Sequence, residues 1–286
     1  ARSERAHIYG ELSDVRPGGP LGDPNFFGQI LLVAVPLAVI AGWRQRRTRT
    51  GVVLLSAAAI ATMGTLLTYS RGAILALAFV LLCIVAALRI PLSYVVVAGI
   101  VGMLLLPQNL TKRFLTFVQS EPGAIQGTRV DSSLEGRRVD AATALLMFDD
   151  HPLFGAGTGS FTYNYGRYAN VAGSSSRYYD LGPTRVPHSL YLEIAAENGI
   201  IGLAAFAAAM AAAFIGLRRA RLRLLALGQT DRAAMATALM IAVAGYLVSS
   251  VFLHGAFQRY LWLLLGLSAA VMRLASRETS HPEVGP

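Results

Sequence analysis

The chain has 286 residues, of which 54% are hydrophobic and only 14% are charged, and its mean hydropathy is +0.51. A soluble domain carries about 25% charged residues, so this composition indicates an integral membrane protein. The formal net charge of +9 lies largely in short segments between apolar runs. We therefore expect no nucleic-acid partner. The only cysteine, Cys83, excludes a disulfide within the chain and gives no zinc-ligand spacing.

Apolar runs close to the length needed to cross about 30 Å of hydrocarbon recur along the chain. Asp23 and Asn25 are predicted to cap the first of them. We predict an all-α fold, a polytopic transmembrane helical bundle, with spans at residues 26–42, 51–69, 72–88, 92–106, 189–217, 233–252 and 260–275. Residues 1–106 would hold about four spans, residues 107–187 a large extracytoplasmic loop, and residues 188–286 three spans and a cytoplasmic tail.

Two predicted loops set the expected orientation. Segment 43–50 contains four arginines, and segment 218–232 contains five arginines against one acid. Short basic loops mark the cytoplasmic side, so counting spans places Arg71 and residues 107–187 outside. Residues 1–25 would also lie outside without a signal peptide. We therefore expect the chain to be the C-terminal fragment of a larger membrane protein.

The long outer segment has its own predicted order. Ser132–Glu135 resembles a capping box that opens a helix at about 133–149. The apolar residues of this helix are spaced for an amphipathic helix: Ala141, Ala142, Leu145, Leu146 and Phe148. Pro152 would end it. A glycine-punctuated turn follows, and then a polar, tyrosine-rich stretch reaches about residue 183 and is expected to be a mobile lid or a disordered tip.

His188 is the candidate catalytic residue. It would start a helix at the outer mouth of a span, where water and a lipid head group both reach. A histidine with an ordinary pKa of about 6.5 suits a general base, although a histidine here could simply cap the helix. Glu193 and Glu197 follow one and two turns later and are candidate supporting residues. A structural ion pair is the alternative for each, and it is favoured for Glu197.

Several arginines on the predicted outer side could bind a diphosphate, because the guanidinium fork donates two parallel hydrogen bonds and stays charged. A charge at membrane depth is costly, by about 2.5 kcal/mol or more, so Arg71, between two apolar runs, is the strongest candidate. For Arg129 a solvated surface position is favoured. The other candidates are Arg137, Arg138, Arg185 and Arg259. His254 shares the loop of Arg259. Because the chain shows no metal constellation and no nucleotide-binding motif, we expect no metal and no cofactor.

The order of several motifs resembles the O-antigen ligase and polymerase family of bacterial membrane proteins over about residues 20–270. These motifs are Gly22-Asp23-Pro24-Asn25, Thr68-Tyr69-Ser70-Arg71-Gly72, Gly136-Arg137, His151-Pro152-Leu153-Phe154-Gly155-Ala156-Gly157, Pro187-His188-Ser189-Leu190-Tyr191-Leu192, Glu197-Asn198-Gly199-Ile200-Ile201-Gly202 and Arg259-Tyr260-Leu261-Trp262. Two positions depart from the family pattern: Ser189, where Asn is frequent, and Ala141, where an aromatic residue is common.

The resemblance implies an enzyme of the bacterial cytoplasmic membrane that acts on its outer face. Such enzymes move a glycan from undecaprenyl diphosphate to a sugar or protein hydroxyl, with inversion and without a metal. His188 would match the family's histidine, and Arg71 and Arg137 its diphosphate-binding arginines. The partners would be the lipid-linked donor, the acceptor and membrane lipids. A polymerase of the same family, a transporter or flippase for the lipid-linked glycan, and a structural subunit of an assembly complex remain alternatives.

Overall fold

All regular structure is helical in the parts of the chain that the computed structural model describes, residues 17–91, 129–171, 185–255 and 259–280. No strand occurs in these ranges, which confirms the predicted all-α fold. A short 3-10 helix at Gly19–Leu21 comes first. The α-helices that follow are α1 (Pro24–Arg44), α2 (Arg49–Leu67), α3 (Arg71–Leu88), α4 (Arg129–Asp150), α5 (Phe161–Val171), α6 (Leu190–Ala226), α7 (Thr230–Ser249) and α8 (Arg259–Ser280).

Five described helices are long and apolar enough to cross a membrane: α1, α2, α3, α6 and α7. Each coincides with a predicted span, so the chain is a multi-pass membrane protein. Helix α8 forms where the span 260–275 was predicted, but it is not among the five. The predicted span 92–106 lies outside the described residues. Helix α6 continues to Ala226, so the prediction of a loop from residue 218 was wrong, and Arg218–Arg223 lie on its last turns.

The first of two compact units comprises Ala1–Ile84, Ala208–Leu253 and Phe257–Pro286. Within it, α1 packs against α2 and α7, and α7 also packs against α8. Helices approach closely at small residues, as is usual in membranes. A Cβ added to Gly28 would lie 2.9 Å from Cβ of Ala73, and one added to Gly245 would lie 2.5 Å from Val80. Since Ala73 and Val80 both lie on α3, these glycines allow α1 and α7 to approach α3 closely.

The two ends of the first unit carry different groups. At one end, Nε of Arg44 lies 2.6 Å from Oδ1 of Asp231, so the end of α1 meets the start of α7 and the two basic segments lie together. At the other end, Nε2 of Gln29 donates to Oγ of Ser249 at 2.6 Å. Asp23 there caps α1 as predicted, accepting from the N–H of Asn25 at 2.6 Å, whereas Asn25 itself lies inside the helix. The sequence-based topology also requires both basic segments to share one side.

The second unit comprises Val85–Ala207 and His254–Ala256. Helix α4 packs against α5, and a buried cluster joins both to the start of α6, with Ala144, Met147, Phe161, Tyr168 and Ala196 at its centre. Two sequence predictions for α4 were wrong. The helix begins at Arg129, so the residues that resemble a capping box lie inside it. Its buried face carries Asp140, Thr143, Ala144 and Met147, whereas Leu145 is exposed.

The tyrosine-rich stretch after the glycine turn also differs from its prediction. Residues 161–171 form α5 instead of a lid or a disordered tip, while the rest of the stretch lies outside the described residues. Phe161 and Tyr168 are buried on the inner face of α5. The hydroxyl of Tyr168 donates to Oδ2 of Asp150 at 2.7 Å. The polar composition misled the prediction because only one face of this short helix is apolar.

Candidate functional site

His188 lies in the link before α6 and is not on the helix itself. Helix α6 begins at Leu190, and the N–H of Glu193 donates to the carbonyl of Ser189 at 3.0 Å, so the predicted helix start at His188 was wrong. The His188 side chain is 34% exposed, and its Nε2 lies 3.7 Å from Oδ2 of Asp140. The imidazole therefore has access to solvent on one side and a carboxylate on the other.

Asp140 is the buried acid of this site. Its side chain is 0% exposed, and its Oδ2 also faces Nη1 of Arg185 at 3.5 Å. The buried Oδ1 accepts no hydrogen bond from the described part of the chain. Burial raises the pKa of the Asp140 carboxyl above its usual value, although Arg185, the Tyr165 hydroxyl and Arg137 each act to lower it. The cost of burying the charge thus outweighs the attraction of the cations around it.

Arg185 is held beside Asp140 by contacts on several sides. Its guanidinium carbon lies 5.9 Å from the centre of the Tyr165 ring, and its carbonyl accepts from Oγ1 of Thr162 at 2.9 Å. A Cβ added to Gly136 would lie 3.5 Å from Nη1 of Arg185, an ordinary van der Waals distance, so the guanidinium packs against α4 at this glycine. Arg137, the next residue, is half-buried. Arg185 therefore shares the Asp140 carboxylate with His188, and the charge of Arg137 acts on the same carboxyl.

His254 and Glu193 complete the surroundings of His188. The rings of His188 and His254 are 6.1 Å apart and nearly perpendicular. Glu193 is buried, and its Oε2 accepts from the N–H of Gly255 at 2.7 Å. This bond ties the segment after α7 to the start of α6. Glu193 thus supports the site by holding the backbone next to His254 in place.

Glu197, the second predicted supporting residue, caps α5. Its carboxylate oxygens accept from the N–H of Gly159 at 2.7 Å and from the N–H of Phe161 at 3.1 Å. A carboxylate is favourable at a helix N-terminus because it satisfies free N–H groups and faces the positive end of the helix dipole. The described contacts of Glu197 are therefore to backbone N–H groups. The sequence-based alternative for it was an ion pair.

A break in α6 explains the neighbouring glycine motif. The backbone of Gly199 is not helical, with φ 65° and ψ −166°. The carbonyls of Ala196 and Glu197 there accept from the N–H groups of Ala156 and Gly157, each at 2.9 Å. Gly155 has φ 72°, and a Cβ on it would lie 2.2 Å from the carbonyl carbon of Glu197. The turn after α4 thus interlocks with the broken helix, and only glycine fits at the crossing.

The remaining predicted arginines lie on α3, α4 and α8. Arg71 is the exposed first residue of α3 in the first unit, where Oγ of Ser70 accepts from the N–H of Ala73 at 3.4 Å. Arg138 is exposed on α4, and because α4 starts at Arg129, neither it nor Arg137 lies in the first turn as predicted. Arg259 opens α8 in the first unit. In the described ranges, no three His, Cys, Asp or Glu side chains group closely enough to hold a metal ion.

Comparison with known families decides what kind of protein carries this site. The model of the family described as O-antigen ligase matches residues 56–207, which is more than half of the 286-residue chain. The chain belongs to the O-antigen ligase family. This confirms the resemblance seen in the motifs. No curated protein matches the chain. The region matching the O-antigen ligase family includes Arg71, all of α4 and α5, and His188, whereas His254 and Arg259 lie beyond it.

Sequence reasoning missed two members of this site. Asp140 stands between Val139 and Ala141 in the stretch taken as an apolar helix face. An acidic residue in such a stretch needs a partner once buried, and that signal could have singled it out. Tyr165 lies in the stretch that was expected to be a lid. Nothing in its immediate sequence pointed to Asp140 or Arg185, because the approach of these residues depends on the packing of α5 against α4.

Proposed function

We propose that this member of the O-antigen ligase family is a glycosyltransferase of cell-surface polysaccharide synthesis, acting at the outer face of the bacterial cytoplasmic membrane. It would transfer a glycan from an undecaprenyl-diphosphate donor to an acceptor hydroxyl. The observation that carries the proposal is the convergence of His188, Asp140 and Arg185 in a chain of this family. A base is needed for transfer to a hydroxyl, whereas a transporter needs none.

His188 is assigned the role of general base. It takes the proton from the acceptor hydroxyl while the hydroxyl oxygen attacks the anomeric carbon of the donor. The bond between that carbon and the diphosphate oxygen breaks, and the diphosphate leaves with the electron pair. Attack from the face opposite the leaving group inverts the anomeric centre. The energy is already stored in the sugar–diphosphate bond, so the step requires neither a nucleotide nor a metal.

Asp140 is assigned the role of positioning residue. Its Oδ2 faces Nε2 of His188, so a neutral imidazole with its proton on Nε2 carries the lone pair on Nδ1. When the base takes up the acceptor's proton, the imidazolium lies next to a carboxylate, as in other carboxylate–histidine pairs. Arg185, bridging to the same oxygen, limits how far Asp140 moves.

Arg71 and Arg137 are assigned to the diphosphate, where a guanidinium fork stabilises the charge that grows on the leaving group. Arg137 is half-buried on the same helix as Asp140, which supports its place near the reacting atoms. Arg71 is exposed at a helix N-terminus, where the helix dipole also favours an anion. Arg138, Arg185 and Arg259 are assigned supporting contacts to the donor.

The proposal is tested with purified full-length protein in liposomes that contain a defined lipid-linked glycan. With a separate acceptor, a new glycosidic product identifies a ligase. Longer glycan on the same carrier, formed without that acceptor, identifies a polymerase. Movement of intact donor across the bilayer, with no new glycosidic bond in either experiment, would instead identify a transporter and remove the proposed chemistry.

A further inference from the structure

Within the second unit, an exposed apolar turn lies against the start of a membrane span. Leu153 is 58% exposed and Phe154 is 73% exposed, and both lie in the turn after α4. The N–H of Ile200 donates to the carbonyl of Pro152 at 2.8 Å, and the N–H of Ile201 donates to that of Leu153 at 3.3 Å. Ile200 and Ile201 are themselves nearly half exposed. These four side chains, Leu153, Phe154, Ile200 and Ile201, form one patch, here called the Leu153 patch.

The sequence on either side of this patch fixes its height relative to a bilayer. Residues 200–217 contain no charged side chain, whereas Glu197 comes before them and Arg218 after them. At 1.5 Å per residue, this run extends about 27 Å, close to the hydrocarbon thickness of about 30 Å. The run therefore begins at the break in α6, and the Leu153 patch lies at the edge of the hydrocarbon.

The turn is also held rigidly at that height. Gly155 and Gly199 both have positive φ, and a Cβ on either would collide with the backbone of the other segment. The turn cannot fold Leu153 and Phe154 inward without breaking its bonds to α6. A fixed apolar pair beside the first turn of a span is covered most simply by the lipid that surrounds the span.

We propose that the Leu153 patch is a membrane-docking surface, in which Leu153 and Phe154 insert into the acyl-chain boundary of the lipid beside the start of the α6 span. The occupant is the bilayer itself. This contact holds the turn, and through it the capped start of α5, at head-group level. The proposal concerns the contact with lipid only and does not depend on the reaction assigned to His188.

The test measures the depth of spin labels in the full-length protein reconstituted in liposomes. In a Cys83→Ala background, which removes the one cysteine of this chain, labels are attached to Phe154→Cys, to Leu153→Cys as an independent second position, and to Tyr163→Cys as the control. Tyr163 is a 90% exposed aromatic residue on α5, outside the turn. Labels at 153 and 154 should collide more with membrane-dissolved oxygen than with a water-soluble nickel chelate, and the label at 163 should show the opposite preference.

Two results would overturn the proposal. One is a label at 154 that prefers the nickel chelate as strongly as the label at 163, because the turn would then lie in water. The other is that the labels at 154 and 163 collide with oxygen to the same extent. Contact with lipid would then be general to exposed residues of this unit and not a property of the turn.

Discussion

The buried carboxylate of Asp140 lies between the imidazole of His188 and the guanidinium of Arg185, so the chemistry assigned to His188 depends on a residue outside the predicted set. From sequence, His188 was a histidine at the mouth of a helix with no known partner. The structure gives it an acid, a second histidine at 6.1 Å and partial exposure. These neighbours support the role proposed for His188 over that of an ordinary helix-capping histidine.

Asp140→Asn tests the positioning role. The amide keeps the shape of the side chain but lacks the charge. Transfer should fall about 10- to 100-fold, the loss typical when the partner that orients a metal-bound histidine is removed. The acidic limb of the pH–rate profile should also move to lower pH, because the variant lacks the negative charge that favours protonated imidazole. Loss of rate with an unmoved pH profile would assign Asp140 a purely structural role.

The raised pKa of Asp140 predicts a pH dependence of stability. Because the folded-state value lies above the ordinary value of about 3.9, the stabilisation is fully present below that value and is lost as pH rises through the folded-state pKa. Arg185, Arg137 and His188 face the same carboxyl and limit the loss. In detergent, the Tm of wild type should therefore drop more between about pH 4 and neutral pH than that of Asp140→Asn. A steeper drop in the variant would contradict the burial of this acid.

Arg71 can be tested through the geometry of its side chain. Arg71→Ala should lose transfer while the protein still inserts, and Arg71→Lys should recover little, because an ammonium group cannot donate the two parallel bonds of a guanidinium. Arg47→Ala, which removes one of several exposed arginines from the basic segment at the other end of the unit, is the control and should keep transfer. Full transfer by Arg71→Lys would leave only charge, or only membrane topology, as the requirement.

At the scale of elements, the helices of the second unit are held together where the glycine turn after α4 crosses the break in α6. Glu197 caps α5, and Gly155 crosses the α6 backbone where no Cβ fits. The motif residues therefore hold α4, α5 and α6 together. In the sequence, Glu197-Asn198-Gly199 indicates a turn. It does not show which backbone N–H groups will bond to the carbonyls of that turn.

Gly155→Ala tests the interlock. Its φ of 72° and the 2.2 Å approach to Glu197 predict destabilisation by more than about 1 kcal/mol, since strain in this region alone costs about 1–3 kcal/mol. The matched control is Gly166→Ala on α5, where an added Cβ meets nothing within 4 Å and alanine should stabilise the helix by about 0.5–1 kcal/mol. Thermal unfolding in detergent measures both. Equal Tm values for the two variants would show that the crossing has room for a side chain.

The spans were predictable because each needs only a long apolar run. The five candidate spans that the structure describes had all been predicted from sequence. Which face of α4 is buried was not predictable, because the buried residues include the polar Asp140 and Thr143. A pattern of apolar residues alone selects a different face of the helix. Helix α5 was missed for a related reason: its stabilisation comes from Glu197 and from packing on α4, neither of which is local in sequence.

At the scale of the whole molecule, the two basic segments give a prediction of orientation. The Arg44–Asp231 contact brings these segments to one end of the first unit, and short basic segments face the cytoplasm. In a Cys83→Ala background, a cysteine at Tyr163 should react with an impermeant reagent in intact spheroplasts, and cysteines at Gln45 or Leu225 should react only after permeabilisation. The reverse pattern would place the site of His188 on the cytoplasmic side.

The measurement that tests the central claim most directly is transfer by His188→Ala, using purified full-length protein in liposomes with lipid-linked donor and acceptor. Loss of a general base costs about 100- to 10,000-fold, so product formation should fall by that factor while binding of the donor is retained. His151→Ala, at an exposed histidine after α4, is the matched control and should transfer like wild type. Near-normal transfer by His188→Ala would contradict the account and leave the arginines as a binding site without a base.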